Sequence, residues 1–221
     1  MNDDPPDPTA ANYQPQVFDV GDLEQARRII LTPEVGTTTE ERWLTETPWL
    51  ADRILEHFPL AENHLVIDFG CGVGRLAKAL IARTGCWVIG VDMSASMRQL
   101  APGYVGSAKF SVISPPVLDL LTARGVRAEL ALSIWVLQHV ARPHDDIGRL
   151  QRVLVPGGGV FIANNKRRAV PTDRGWAHDG IDIDAMLAAS FSPKWRGTLS
   201  REIGGDVLPD ASFIAAYVKP G

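Results

Sequence analysis

Two carboxylates and three closely spaced glycines carry the clearest chemistry in this chain. The run Val66-Ile67-Asp68-Phe69-Gly70-Cys71-Gly72-Val73-Gly74-Arg75 passes from apolar residues through an acid to glycines on alternate positions. Leu76-Ala77-Lys78-Ala79-Leu80-Ile81 follows with helical character. This order predicts a buried strand, a tight turn and a helix start. Glycine at such a turn tolerates positive φ and lets a ligand approach bare backbone. The second acid, Asp92, closes Trp87-Val88-Ile89-Gly90-Val91, where the next parallel strand of a βαβ unit should end. A carboxylate there can accept both hydroxyls of a ribose. Its competing role is a helix cap, because a helix is predicted to start near Ser94.

Two ligands compete for such a turn: a dinucleotide or S-adenosylmethionine. A dinucleotide turn calls for a small residue at position 75, where this chain has Arg75. Asp68 beside two phosphates would be repulsive, whereas a ligand with an ammonium and a sulfonium would suit it. At these residues the chain resembles the class I S-adenosylmethionine-dependent methyltransferases, whose first motif reads acid-x-Gly-x-Gly-x-Gly. Asp68, Gly70, Gly72 and Gly74 match it without a gap. Leu154-Val155-Pro156-Gly157-Gly158 resembles the family's Leu-Lys-Pro-Gly-Gly turn, with Val155 in place of lysine, and the stretch from Glu129 to Val140 resembles its fourth strand and following turn. The resemblance implies that Asp68 and the backbone of Gly70, Cys71, Gly72 and Gly74 hold the methionine part of the cofactor. It puts Asp92 on the ribose and Met93 against adenine, with Ser114 and Ser133 at neighbouring strand ends. The product would be S-adenosylhomocysteine. The family commonly has an acid after the third strand for the adenine amino group. Phe110-Ser111-Val112-Ile113-Ser114-Pro115-Pro116 has none; Ser114 or a backbone group could accept that hydrogen bond instead, and Asp119 lies too far along.

The elements that position these residues follow from periodicity. Residues 1–16 read as a Pro-rich, acidic, disordered tail and 17–58 as a helical cap. Within the cap, a short helix is expected over 17–30, and another starts at Thr37-Thr38-Thr39-Glu40-Glu41 and is divided by Pro48. Strands are expected at 64–69, 87–91, 109–113, 129–134 and 159–164. Helices at 74–83, 94–101, 116–124 and 144–154 alternate with them, which means a parallel sheet covered on both faces. A helix from Asp182 to Ala189 and strands near 196–203 and 211–218, joined as a hairpin at Gly204-Gly205-Asp206, complete the core over 59–221. The fold implied is α/β and Rossmann-like. It is a doubly wound, seven-stranded, mostly parallel sheet with an antiparallel last strand. The cap is expected to act as a lid, since an open sheet top would leave a sulfonium in water.

For the acceptor, His139 is the first general-base candidate, though it could instead order its loop. His178 is second, in the Gly- and charge-rich segment 165–181, which otherwise reads as a solvated loop. Trp43, Trp135 and Trp176 are candidate substrate walls, with core packing as the alternative, and Trp87 reads as strand core. Lys166-Arg167-Arg168 with Arg174 could hold an anionic acceptor or could be a solvated charge run. His144, after Pro143, reads as a helix start. No Asn-Pro-Pro-Tyr stretch follows the fourth strand, which argues against amino methylation of DNA bases or of protein glutamine. No metal-ligand spacing stands out.

The chain has 221 residues and a net charge of −4, to which Asp3, Asp4 and Asp7 contribute, so no nucleic-acid surface is expected. Two cysteines, Cys71 and Cys86, form no CxxC pair and exclude a disulfide framework. The N-terminus lacks the basic-then-apolar order of a signal peptide, no run is long enough to span a bilayer, and a cytoplasmic enzyme is the expectation. The function expected is methyl transfer to an O or N atom of a small molecule. Two rivals stand beside it: a homologue that binds the cofactor without transferring methyl, and an RNA or protein methyltransferase.

Overall fold

The computed structural model describes residues 13–221. Seven strands form one sheet in the order β3-β2-β1-β4-β5-β9-β8. These are β1 (Leu65–Phe69), β2 (Trp87–Val91), β3 (Phe110–Ile113), β4 (Ala128–Ile134), β5 (Leu154–Asn165), β8 (Ser192–Gly197) and β9 (Ser212–Val218). The first five are parallel, and β9 runs antiparallel between β5 and β8. Side chains along a strand alternate between faces, and the core divides accordingly. Ile67, Ala131, Val160 and Ile162 pack with Leu118, Leu150 and Leu187, from helices α5 (Pro115–Ala123), α6 (Pro143–Val153) and α7 (Ile183–Ser190). Val66, Leu130, Leu132 and Phe161 pack on the other face with Ile54, Leu80 and Val105, from α2 (Thr39–His57), α3 (Arg75–Thr84) and α4 (Ala95–Val105).

The parallel strands and their helices fall close to the positions their periodicity predicts. Four expectations need correction. Pro48 does not divide α2, which runs unbroken from Thr39 to His57. The proline deletes one bond to the Leu44 carbonyl on the exposed side, while buried Trp43, Glu46, Leu50, Ala51 and Ile54 hold both halves in line. The closing strands are no tight hairpin: β8 ends at Gly197, and two short helices, α8 (Arg201–Gly204) and α9 (Leu208–Ala211), precede β9. Trp87 is 49% exposed at the outer end of β2, so it is not core. The segment 165–181 is not all loop: within it β6 (Val170–Thr172) and β7 (Gly175–Ala177) pair as a two-stranded ribbon.

The expected tail lies outside the described residues as far as residue 12. From Tyr13 onward the chain is bonded. Tyr13 bridges to Thr172, and Gln14 N–H donates to the Pro171 carbonyl at 2.9 Å. A 3-10 turn over Pro15–Phe18 then leads to Asp19, which accepts from Ser94 Oγ at 2.8 Å. Helix α1 (Leu23–Ile30) follows. Strap, ribbon, α1 and α2 thus surround the carboxyl ends of the strands, where ligands sit in open α/β sheets. Among the described residues no helix is long and apolar enough to cross a membrane.

Candidate active site

A cavity of about 520 Å³ lies at those strand ends, within the roughly 300–1,000 Å³ of small-molecule sites. Its floor takes Phe69, Gly70 and Gly72 from the end of β1, and Asp92 and Met93 from the end of β2. Trp135 and Val136 follow β4, and Asn165 ends β5. Phe18, Ile29, Ile30 and Arg42 close it from the N-terminal elements, and Trp176 from the ribbon.

The glycine turn has the conformation its sequence requires. Gly70, Gly72 and Gly74 have φ of 74°, 54° and 81°, the left-handed region that costs other residues energy. Packing adds a second reason. A Cβ on Gly70 would lie 2.2 Å from Val136, and one on Gly72 would lie 2.6 Å from Ile30 of α1. Gly72 also donates its N–H to Asp92 Oδ2 at 2.8 Å, which joins turn and acid. Asp92 Oδ1 accepts from Ser94 N–H at 2.9 Å, while Ser94 itself caps α4. Burial pushes the Asp92 carboxyl up, opposed by these two N–H groups and by Arg98. Asp92 is therefore not the helix cap, and it remains a cavity wall.

Trp135 has a φ of 62°, the one positive value outside glycine among the described residues. Its N–H is fixed on the Ala163 carbonyl at 2.7 Å, and its indole Nε1 donates to Glu46 Oε1 at 2.8 Å. Glu46 Oε1 also accepts from Arg75 at 2.8 Å, and Oε2 from Arg42 at 2.7 Å. Burial acts to raise the Glu46 carboxyl, but Arg75, Arg42 and the indole outweigh it and hold it below the usual carboxylate range. Two guanidiniums face one carboxylate, and Arg42 lines the cavity. The signal for this cluster was present in the sequence: Arg42, Glu46, Leu50 and Ile54 form one i,i+4 stripe, so both charges sit on the buried side of α2.

His139 has both ring nitrogens engaged. Nδ1 is 2.7 Å from the Ala169 carbonyl, which can only accept, so Nδ1 carries the proton. Nε2 lies 3.1 Å from Gln138 Nε2. Gln138 Oε1 accepts from Asn165 N–H at 2.7 Å, which orients the amide so that it donates to the imidazole. Burial holds the His139 ring below its ordinary pKa, against the Ala169 carbonyl. Phe18 and Trp176 pack on the ring at centroid distances of 5.5 and 5.3 Å. Phe18 and Gln138 are wall residues for which the sequence analysis gave no reading.

The structure brings Gly70, Gly72, Asp92, Met93, Trp135, His139 and Trp176 to one cavity. It sets other expected site residues outside the wall. Asp68 is buried behind the turn, and burial pushes it up to about 7 against the Arg75 charge. The buried Cys71 thiol turns to the Gly72 carbonyl. Gly74 packs under Val105 and Phe110. Ser114 occupies the N-cap position of α5, and Ser133 is fully buried in β4. Trp43 is core, donating to the Tyr104 hydroxyl at 3.2 Å with Arg27 over its ring. His178 lies beyond β7, outside the cavity. Arg168 is not available to an anionic acceptor: it is buried and bonded to Asp179 and to the Leu137 and Val140 carbonyls.

A family model described as a methyltransferase domain matches residues 67–162. A ubiquinone biosynthesis O-methyltransferase of Coxiella burnetii is 31% identical over 103 residues, covering 46% of this chain and 44% of the relative. A trans-aconitate 2-methyltransferase of Delftia acidovorans is 27% identical over 183 residues, covering 81% of this chain and 64% of the relative. The chain thus spans less than two thirds of the length of these curated relatives. Among solved structures, magnesium protoporphyrin IX methyltransferase from Synechocystis PCC 6803 with bound SAH superposes with a TM-score of 0.65. It is 18% identical and covers 92% of this chain and 97% of that one. Residues 67–162 of this chain are thus similar to a methyltransferase domain, and its sheet has the fold of a solved methyltransferase.

Proposed function

We propose that this chain is an enzyme that transfers the methyl group of S-adenosylmethionine to an O or N atom of a small molecule. One observation carries the reading: a single cavity joins the glycine turn and Asp92 to an aromatic compartment under the N-terminal strap. The residues fit the cofactor. The bare backbone at Gly70 and Gly72 admits its methionine part, and Arg42, whose side chain stays bonded to Glu46 and the Thr32 carbonyl, adds positive charge to the wall. Asp92 keeps free lone pairs for a ribose diol, and Met93 offers a soft apolar face to a purine. Asp68 stands buried behind the turn and does not line the cavity. When bound, the cofactor supplies an electrophilic methyl carbon on a sulfonium.

The chain's own contribution is alignment and exclusion of water. Positioning alone is worth roughly 7–11 kcal/mol at best. Phe18, His139, Trp135 and Trp176 shape an apolar space for the acceptor. His139 acts as an ordering residue whose Nε2 lone pair rests on Gln138. The names of both relatives denote small acceptors, which supports the substrate class.

The test is mass-spectrometric detection of methylated product and S-adenosylhomocysteine with a panel of phenols, carboxylates and amines, run beside total RNA and protein. Transfer to a small molecule supports the reading. Transfer to RNA or protein alone would replace it.

A further inference from the structure

The end of the cavity beyond Met93 lacks the acid after β3 that the family commonly carries. From the turn after β3 the wall takes Pro115, and Ser114 stays out of it. Asp119 is committed elsewhere, accepting from Arg149 Nε at 3.0 Å and lying 3.5 Å from Arg152. The wall is completed by Val140, Ala141 and the first turns of α6, which bring in Asp146.

Asp146 is only 9% exposed. Its Oδ1 accepts from Arg149 Nη1 at 2.6 Å, and among the described residues Oδ2 has no hydrogen-bond partner. Tyr13 covers the same compartment. Its hydroxyl donates to Met93 Sδ at 3.5 Å, and Asp146 is the foremost charge acting on it. Met93 and Asp146 therefore flank one slot, with Pro115 and Val140 as apolar walls. The Asp146 side chain keeps 13% of its surface exposed, so its unpaired oxygen can meet a donor in the cavity.

We propose that Asp146 accepts a hydrogen bond from the amino group of the cofactor's adenine, replacing the acid absent after β3. The assignment rests on the reading that Asp92 takes the ribose, since the ribose fixes which way the purine points. The simpler explanation is an acid in the first turn of α6 that steadies the helix through its positive end and Arg149.

Calorimetry with S-adenosylhomocysteine and its analogue bearing hydrogen in place of the adenine amino group separates these. The wild-type chain is expected to bind the analogue at least tenfold more weakly, as sites built around a donor reject ligands that lack it. Asp146→Ala should bring the two ligands within about threefold, chiefly by weakening S-adenosylhomocysteine. Arg149 keeps Asp119 in this variant, which favours folding. Asp92→Ala should weaken both ligands alike and preserve their ratio. A wild-type chain that does not discriminate, or an Asp146→Ala chain that discriminates as before, overturns the proposal and leaves Asp146 a helix-end charge. If Asp92→Ala leaves both affinities unchanged, the ribose reading falls instead.

Discussion

The indole Nε1 of Trp135 donates to Glu46 Oε1 at 2.8 Å across 89 positions of sequence. This bond fastens the tip of β4, where Trp135 has a strained backbone, to the N-terminal helix α2. Glu46 carries Arg42 and Arg75 as well, so the helix, the glycine turn's helix and the acceptor wall share one buried carboxylate.

Removing that carboxylate should therefore cost far more than one hydrogen bond. Glu46→Ala leaves two guanidiniums buried without an anion and is expected to destabilise the fold by about 3–5 kcal/mol. Trp135→Phe leaves Glu46 paired with both arginines and should cost about 1.5–3 kcal/mol. Urea unfolding of both variants checks the order. Equal losses would show that the indole, and not the charge cluster, dominates.

Gly72 is fixed twice, by a φ of 54° and by Ile30 at 2.6 Å from a built Cβ. Gly72→Ala should lose about 1–2 kcal/mol from backbone strain alone. Ile30→Ala in the same chain should return the steric part and leave the conformational part. Denaturation curves of the single and double variants measure this; full recovery in the double variant would remove the backbone argument.

Burial raises Asp68 to about 7 in the folded chain, against about 3.9 when unfolded. Between those values the folded state holds a proton that the unfolded state has lost, so this group's contribution makes stability fall as pH rises. Asp68→Asn does not titrate, so its stability relative to wild type should climb from pH 4 to pH 7 and level off above. Urea midpoints taken at one-unit intervals give the curve, and a constant difference would mean that Asp68 is charged throughout.

His139 tests the boundary between ordering and proton transfer. With Nδ1 on Ala169 and Nε2 on Gln138, His139→Ala should lower stability by about 1–3 kcal/mol, for the two bonds lost. Turnover of an identified acceptor should fall by less than about 100-fold, below the roughly 10²–10⁴ of general-base catalysis. A larger fall in kcat at unchanged KM would make His139 the base.

Much of the sheet was legible in the sequence because parallel strands leave continuous apolar runs, as in Leu130 to Leu132 and Val160 to Ala163. The turn was legible because glycines at 70, 72 and 74 answer a local backbone demand. Features set by distant partners were not. Pro48 is tolerated because α2 is anchored by Arg75, Tyr104 and Trp135 from elsewhere in the chain, and the ribbon, besides its own pairing, meets the strap at Tyr13 and Gln14 through Thr172 and Pro171. Trp43 and Trp135 look alike in sequence, yet one is held in the core by Tyr104 and the other is held on the cavity by Glu46.

On the proposed function, the cavity at the ends of β1 and β2 binds S-adenosylmethionine through Asp92. Isothermal titration of S-adenosylhomocysteine into the wild-type chain and Asp92→Ala tests it most directly. One site per chain is expected, with an affinity at least tenfold weaker in the variant, about 1.4 kcal/mol or more. Equal binding by the two chains, or no binding by the wild type, would contradict it.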